Sequence, residues 1–340
     1  MKDILYKLCC ADGISGSENE VFDTACELLG KYAEVRQDIN GNIIAEMGNK
    51  NSSRHIMLDA HIDRIGLVVT YINDDGFIKA EPVGGIDLRT LQSSAVTVIG
   101  KERILGVVCT MPPHLSNGED EELSKDKIWI DTGLPVEKVK DLVSLGDSII
   151  VYSEFRELLN NCVAVSALDN RSGCAVLVKC AELLSGKELP CRLSIVLSVQ
   201  EETSELGAKT SAFSLSPDEA VIVDVGFAAQ DGVPSEKCGE IGCGGIISIA
   251  PVLSKAVTDR IIKISKKLGM NCDYEVCGGT TGTNADGISA AKGGIPCGVI
   301  SIPEKNMHTQ TEIVSLDDME KIAELLSVYV MEGGVMNVGL

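Results

Sequence analysis

Leu193-Ser194-Ile195-Val196-Leu197-Ser198-Val199-Gln200-Glu201-Glu202 joins a nearly continuous apolar run to two adjacent carboxylates. A run that apolar reads as a buried strand of the kind parallel sheets use. Two carboxylates at its end are costly unless something compensates them. A metal ion on one of them is the simplest compensation, and it leaves the other free to move protons. Three more apolar runs end in the same way. Ile56-Met57-Leu58-Asp59-Ala60-His61 leads into Asp63, Ala220-Val221-Ile222-Val223 into Asp224, and Pro296–Pro303, after a short loop, into His308. Metal-ligand residue types are thus delivered at C-terminal ends of strands, where open α/β sheets place their sites.

The 340 residues suffice for two domains, and 44% hydrophobic content supplies a full core. A formal charge of -20 argues against nucleic acid as a partner, because phosphate binding needs clustered Lys and Arg. Met1 to Ala11 carries Asp3 and Lys7 and no long apolar stretch, so no signal peptide is read there. Nor is there a run of some 18 apolar residues to span a membrane. The 13 cysteines are odd in number, irregular in spacing and without a C-x-x-C pair, which points away from a zinc-thiolate site. They read as reduced core residues of a cytoplasmic protein.

Outward from these strands the chain divides. Ser17 with Glu20 reads as a capping box ahead of a helix whose apolar face is Val21, Ala25, Leu28 and Leu29. Asn40-Gly41 reads as a turn between two short strands. After about Tyr71 short strand-like pieces, separated by Gly, Pro and charged turns, read as a small all-β module. Within it Leu115 to Lys127 is polar and acidic and is expected to be a mobile loop, and Pro135 to Leu142 a short helix. From about Val163 the alternation of helix and strand returns, with helices expected over Ser172–Leu184, Leu206–Phe213, Lys255–Leu268, Ala285–Ala291 and Leu316–Val330. The expected architecture is α/β, a mixed-sheet domain over 1–72 and 163–340 interrupted by a small β-barrel-like domain over 73–162.

The chemistry-bearing residues are modest signals one at a time. His61-x-Asp63 places two polar residues on one face of an extended chain, where Asp63 either orients the His61 ring or caps a strand end. Asp169, ahead of the helix at Ser172, serves either as its N-cap or as a carboxylate shared by cations. Glu201 and Glu202, if extended, point to opposite sides, one toward a metal and the other toward a bound water. Together the set holds two histidines and several carboxylates, which suits a pair of divalent ions such as zinc, cobalt or manganese.

Ala60-His61-Ile62-Asp63-Arg64-Ile65-Gly66, Ala167-Leu168-Asp169-Asn170-Arg171, Val199-Gln200-Glu201-Glu202, Val223-Asp224-Val225 and Met307-His308-Thr309 resemble the M42 family of dinuclear metallo-aminopeptidases. Val83-Gly84-Gly85-Ile86-Asp87 resembles part of that family's insertion domain, and Gly282-Thr283-Asn284-Ala285-Asp286 its late loop. The resemblance implies that His61 and Asp224 bind one metal, that Glu202 and His308 bind the other, and that Asp169 bridges them. It implies Glu201 as general base, Asp63 as support for His61, and a cis bond at Asp169-Asn170. The implied cofactors are two divalent ions per subunit, zinc or cobalt. The implied substrates are short peptides with a free N-terminus, and the implied assembly is a homo-oligomer of dimers joined through the insertion, up to a dodecamer. Two residues near the implied site depart from the pattern: Asn284 stands where aspartate is common, and Gln310 where small residues or proline are. Two competing readings are a glycoside hydrolase, which needs facing carboxyls and aromatic platforms, and a catalytically silent assembly or peptide-binding protein.

Overall fold

The computed structural model describes residues 1–112, 114 and 125–334. β-Branched runs and Gly-rich turns build an eight-stranded mixed sheet. Its centre is four parallel strands in the order Arg192–Ser198, His55–His61, Glu219–Phe227 and Cys297–Glu304. One flank is antiparallel, with Ile43–Gly48 against Arg192–Ser198 and Glu34–Gln37 outside it. On the other flank Ile246–Ile249 runs antiparallel to Cys297–Glu304, and Asp273–Val276 closes the edge in parallel with it.

Strand alternation sends side chains to two different helical layers. Ile56, Leu58, Ala60, Ile195, Leu197, Val221, Val223, Ile300 and Ile302 pack with helices that include Asn19–Leu29, Leu168–Leu184, Lys255–Lys267 and Leu316–Met331. Met57, Val196, Ala220, Ile222, Cys297 and Val299 pack on the opposite face against Leu206–Leu215 and Asn284–Ser289. Each such aliphatic side chain, fully buried, contributes about 1.5–3 kcal/mol.

The inserted module is a closed six-stranded barrel, Gly66–Ile72, Ile78–Val83, Trp129–Asp131, Arg103–Val108, Ala95–Ile99 and Ser148–Val151 in order of pairing. It begins ahead of the expected residue 73. Leu67 and Val69 point into the barrel core beside Ile78, Ile130 and Ile149, so Gly66–Ile72 is a barrel strand rather than a continuation of the large sheet. Its last strand ends at Val151. Arg156–Glu157 pairs with Cys162–Val165, which pairs with Glu312–Ser315 in a separate three-stranded sheet. Of the expected mobile loop, residues 115–124 lie outside the described residues, and Lys125–Lys127 form a single 3-10 turn.

Two local expectations are corrected. The helix after Gly16 starts at Asn19 with Glu18 at its N-cap and no side-chain capping bond, because the Glu18 carboxylate turns back to the Gly16 N–H at 2.7 Å. The capping box therefore does not form. Before the long helix, Asn170 rather than Asp169 does the capping: its Oδ1 accepts from the Gly173 N–H at 3.0 Å. The Asp169 carboxylate is left for other partners. None of the cysteines is in a disulfide, and burial pushes the Cys174 and Cys180 thiols up to about 12.

Candidate active site

The sheet face that carries Met57 and Val196 turns polar toward the C-terminal ends of the parallel strands. Asp59 and His61 follow Met57 on that face, and Ser198 is the register partner of His61. Asp224 follows Ile222 and pairs with Ser301 one strand further on. Parallel pairing brings these ends side by side, and among the described residues two histidine-bearing segments and four carboxylate-bearing segments open into one cavity of about 440 Å³.

Asp169 stands at the centre. Its Oδ1 lies 3.0 Å from His61 Nε2, and its Oδ2 lies 3.1 Å from His308 Nε2. The two oxygens of one carboxylate thus face two different imidazoles. On the first side Asp224 Oδ1 is 3.6 Å from His61 Nε2, and Glu201 Oε2 is 3.9 Å away. On the second side Glu202 Oε2 is 3.5 Å from His308 Nε2. The Asp169-Asn170 peptide is cis.

Glu201 and Glu202 do not sit on extended chain. The strand ends at Ser198, Gln200 takes a left-handed conformation with φ 57°, and Glu201–Ser204 is a single helical turn. Neighbours on a helix point about 100° apart. One side chain therefore still reaches toward His61 and the other toward His308, for a different reason than expected.

A surrounding layer of bonds fixes this geometry. His61 Nδ1 is 3.2 Å from the Asp63 carbonyl, and His308 Nδ1 is 2.9 Å from the Gly85 carbonyl. Each carbonyl accepts the Nδ1 proton and turns the Nε2 lone pair toward Asp169. The Gly85 backbone comes so close that a Cβ there would lie 2.9 Å from His308 Nδ1. The Asp63 carboxylate is farther from His61 Nδ1, at 3.6 Å, than the Asp63 carbonyl is. Its oxygens accept from the Glu201 and Glu202 N–H groups at 3.0 and 3.2 Å. Glu312 Oε2 accepts from the Leu168 and Asp169 N–H groups at 2.7 and 3.3 Å.

The electrostatics of the cluster are those of too many carboxylates in one place. Burial pushes the Glu201 carboxyl up to about 8, with Asp224 and Asp169 adding to the push against the opposing His61. Burial and the Asp169 charge hold Glu202 well above the usual carboxylate range, and burial raises Asp224. For His308 burial lowers the pKa, but the Asp169 hydrogen bond and the Glu202 charge outweigh it and bring it to about 10. His61 is raised for the same kind of reason. Asp169, although buried, is held well below its ordinary value by the two histidines.

These residues fit divalent cations. Ligand atoms of His61, Asp169 and Glu202 all lie within 4.8 Å of one another. Glu202 Oε1 is buried with no hydrogen-bond partner among the described residues. Imidazole nitrogens with fixed tautomers, beside carboxylates whose mutual repulsion a cation would relieve, are the donor set of zinc, cobalt or manganese sites.

All seven residues singled out in the sequence meet here, with Asp63 just behind the cavity and the rest lining it. Others were missed. Glu304 ends the strand Cys297–Glu304, is fully buried, and has neither oxygen paired among the described residues. Burial, with the charges of Glu312 and Asp169, raises it well above the usual carboxylate range. The rule that found Asp224, a carboxylate ending an apolar run, also covers Glu304. Asn284, singled out in the sequence as a departure near the implied site, donates from Nδ2 to Asp59 Oδ2 and to Ser198 Oγ, both at 2.8 Å, beneath the cavity rather than in it. Phe227 lines the cavity from the end of the central strand Glu219–Phe227 and Met307 from beside His308, while Glu275 and Thr281 come from an edge strand and a loop that carry no periodic signal.

The family model for M42 glutamyl aminopeptidases matches residues 41–325. The chain belongs to the M42 family of aminopeptidases. A putative aminopeptidase of Acetivibrio thermocellus is 33% identical over 333 residues, covering 96% of this M42 chain and 97% of the relative. The aminopeptidase APDkam598 from the archaeon Desulfurococcus kamchatkensis superposes with a TM-score of 0.91 at 32% identity, over 97% of this chain and 94% of that one. The TET1 peptidase of Pyrococcus horikoshii, which can assemble into a tetrahedron or a large octahedral shell, gives 0.86 at 29%, over 97% and 99%. A Thermotoga maritima structure named as an endoglucanase gives 0.80 at 27%, over 97% of each chain. M42 membership makes this chain a hydrolase of the aminopeptidase class and implies divalent metal ions. Among the described residues no helix is long and apolar enough to cross a membrane.

Proposed function

We propose that this M42 chain removes single residues from the free N-terminus of short peptides, with two divalent ions, zinc or cobalt, held in the cavity. The observation that carries the reading is Asp169, one carboxylate with an oxygen on each of two histidines. In this reading His61 and Asp224 hold one ion, Glu202 and His308 the other, and Asp169 both. Bound there, such ions supply an acidified water and a polarised substrate carbonyl. Glu201 is not needed by either ligand set and opens onto the same cavity. Its Oε2 takes a proton from the attacking water and passes it to the departing amine as the peptide bond breaks. Burial raises this carboxyl to about 8, and cations held nearby would lower it, in the direction a proton acceptor needs. Asp63 acts through others: by gripping the Glu201 and Glu202 N–H groups it keeps base and ligand at fixed separation.

No observation favours glycoside hydrolysis. Among the described residues lining the cavity Phe227 is the single aromatic, which leaves little platform for sugar rings. A silent protein would not need the fixed tautomers of His61 and His308. The barrel carries exposed Leu105, Val107 and Tyr152 around a shallow apolar groove of about 540 Å³, which supports dimers joined through the barrel and, by analogy with the TET shell, a dodecamer. The unpaired cysteines support a cytoplasmic setting.

The test is hydrolysis of aminoacyl-p-nitroanilides and short peptides, with and without chelator, and with zinc or cobalt restored. Release of single N-terminal residues that disappears with chelator and returns with metal is the expected result. No release from any free-amine substrate by verified metal-loaded protein would overturn the reading.

A further inference from the structure

The wall of the cavity away from the metal-binding residues has a definite character. Among the described residues, the cavity as a whole is lined by five carboxylates, Asp169, Glu201, Glu202, Asp224 and Glu275, and by neither lysine nor arginine. Two divalent ions would balance four of these charges. The fifth, Glu275, stands apart from every residue that meets His61 or His308, on the edge strand Asp273–Val276. Its place on the edge strand is set by pairing: Ser248 is its register partner on Ile246–Ile249, so the two side chains share one face of the sheet, and the Ser248 hydroxyl favours the charged carboxylate. The exposed Lys237 acts on Glu275 only through its field; it does not line the cavity, and the two form no ion pair among the described residues. Phe227, from the end of Glu219–Phe227, and Met307, next to His308, add apolar surface to the same cavity.

We propose that Glu275 sets substrate choice, so that this chain prefers N-terminal residues with a long aliphatic stem and a cationic end, lysine and arginine, and rejects glutamate and aspartate. The inference rests on the aminopeptidase reading above and extends it to the substrate class. A lysine side chain has the chemistry this wall complements, its methylenes on Phe227 and Met307 and its ammonium at Glu275. An acidic side chain meets a fixed like charge with no cation in the lining to offset it, and discrimination by repulsion is as effective as by attraction. The family model's description, glutamyl, is therefore not the expected preference of this member.

The experiment uses the metal-loaded full chain and the p-nitroanilides of lysine, arginine, leucine and glutamate, comparing kcat/KM. The wild type is expected to cleave the lysine and arginine substrates at least tenfold better than the glutamate one. Glu275→Gln should lower the lysine-to-leucine ratio by roughly tenfold, the scale of one partly solvated charge pair. Glu275→Asp should keep part of that ratio, and Glu275→Lys should reverse the order of lysine and glutamate. A wild type that favours glutamate overturns the proposal. So does a Gln variant whose lysine-to-leucine ratio matches the wild type. Because both are ratios among active reactions, either failure leaves the aminopeptidase reading standing. Loss of turnover on all four substrates by metal-loaded wild type would remove both.

Discussion

The barrel and the large sheet use burial differently. Inside the barrel the buried residues are Leu67, Val69, Ile78, Val96, Val98, Ile130, Ile149 and their like, and the buried polar side chains among its described residues are the small, uncharged Ser94 and Thr97. At the C-terminal ends of the large sheet, Asp59, His61, Asp63, Arg64, Asp169, Arg171, Asp224, Glu304 and Glu312 are buried within one connected region. Apolar burial stabilises wherever it occurs, whereas buried charge is tolerated only where partners or ions meet it. The barrel is therefore built for stability and surface, and the sheet ends trade stability for a cluster whose chemistry suits cations.

That contrast can be tested in descending order of effect. Glu201→Gln should cut kcat by about 10²–10⁴ while bound metal, measured by elemental analysis, stays at the wild-type level. Full turnover in that variant would remove the base from the sheet-end cluster. Ile130→Ala, in the barrel core, should cost about 2–5 kcal/mol in urea unfolding, yet leave kcat per folded molecule unchanged. A matching fall in kcat would show that barrel and site are not energetically separate.

The chelated protein should be less stable at pH 8 than at pH 5. Burial raises Glu312 to about 8 and Asp59 to about 7. With the folded pKa above the unfolded one, the native state keeps a proton that the unfolded state has already released. Stability is then complete below the unfolded pKa and drains away as pH rises through the folded value. The raised histidines act in the same direction, and the lowered carboxyls of Asp63 and Asp169 have made their contribution before pH 5. Urea midpoints at pH 5, 6.5 and 8 measure this, and a flat profile would mean that the buried charges are already compensated without metal. Smallest is Asn284→Asp, which sets a second carboxyl against Asp59 and should cost about 1–3 kcal/mol, more at pH 8 than at pH 5. Equal cost at both values would show that one proton is shared at no expense.

Much of this was legible because strand ends write themselves clearly in a chain. Apolar runs that stop at His61, Glu201, Asp224 and His308 identify both the parallel sheet and the side of it that matters. What escaped was set by the third dimension. The barrel's first strand, Gly66–Ile72, is as apolar as a strand of the large sheet, and only its pairing with Ile78–Val83 and Ser148–Val151 shows where it belongs. Asn170 took the cap offered to Asp169 because an adjacent amide oxygen reached Gly173 first. Spacing along extended chain leaves the Asp63 carboxylate between His61 and a strand-end cap, and the family resemblance implies His61, but two N–H groups 138 and 139 residues away bind it at shorter range. Asn284, a departure from the family pattern, proved to be a neutral partner for a buried acid, a role invisible until the late loop is folded over Asp59.

The strand Asp273–Val276 lies at the outer edge of the eight-stranded sheet, bonded on one side only, with its side chains half-buried or exposed. Substitution there disturbs few neighbours. Diet and chemistry are thus kept in separate hands: a lineage can exchange one residue on this rim and change what it digests, while the residues around Asp169 stay as they are.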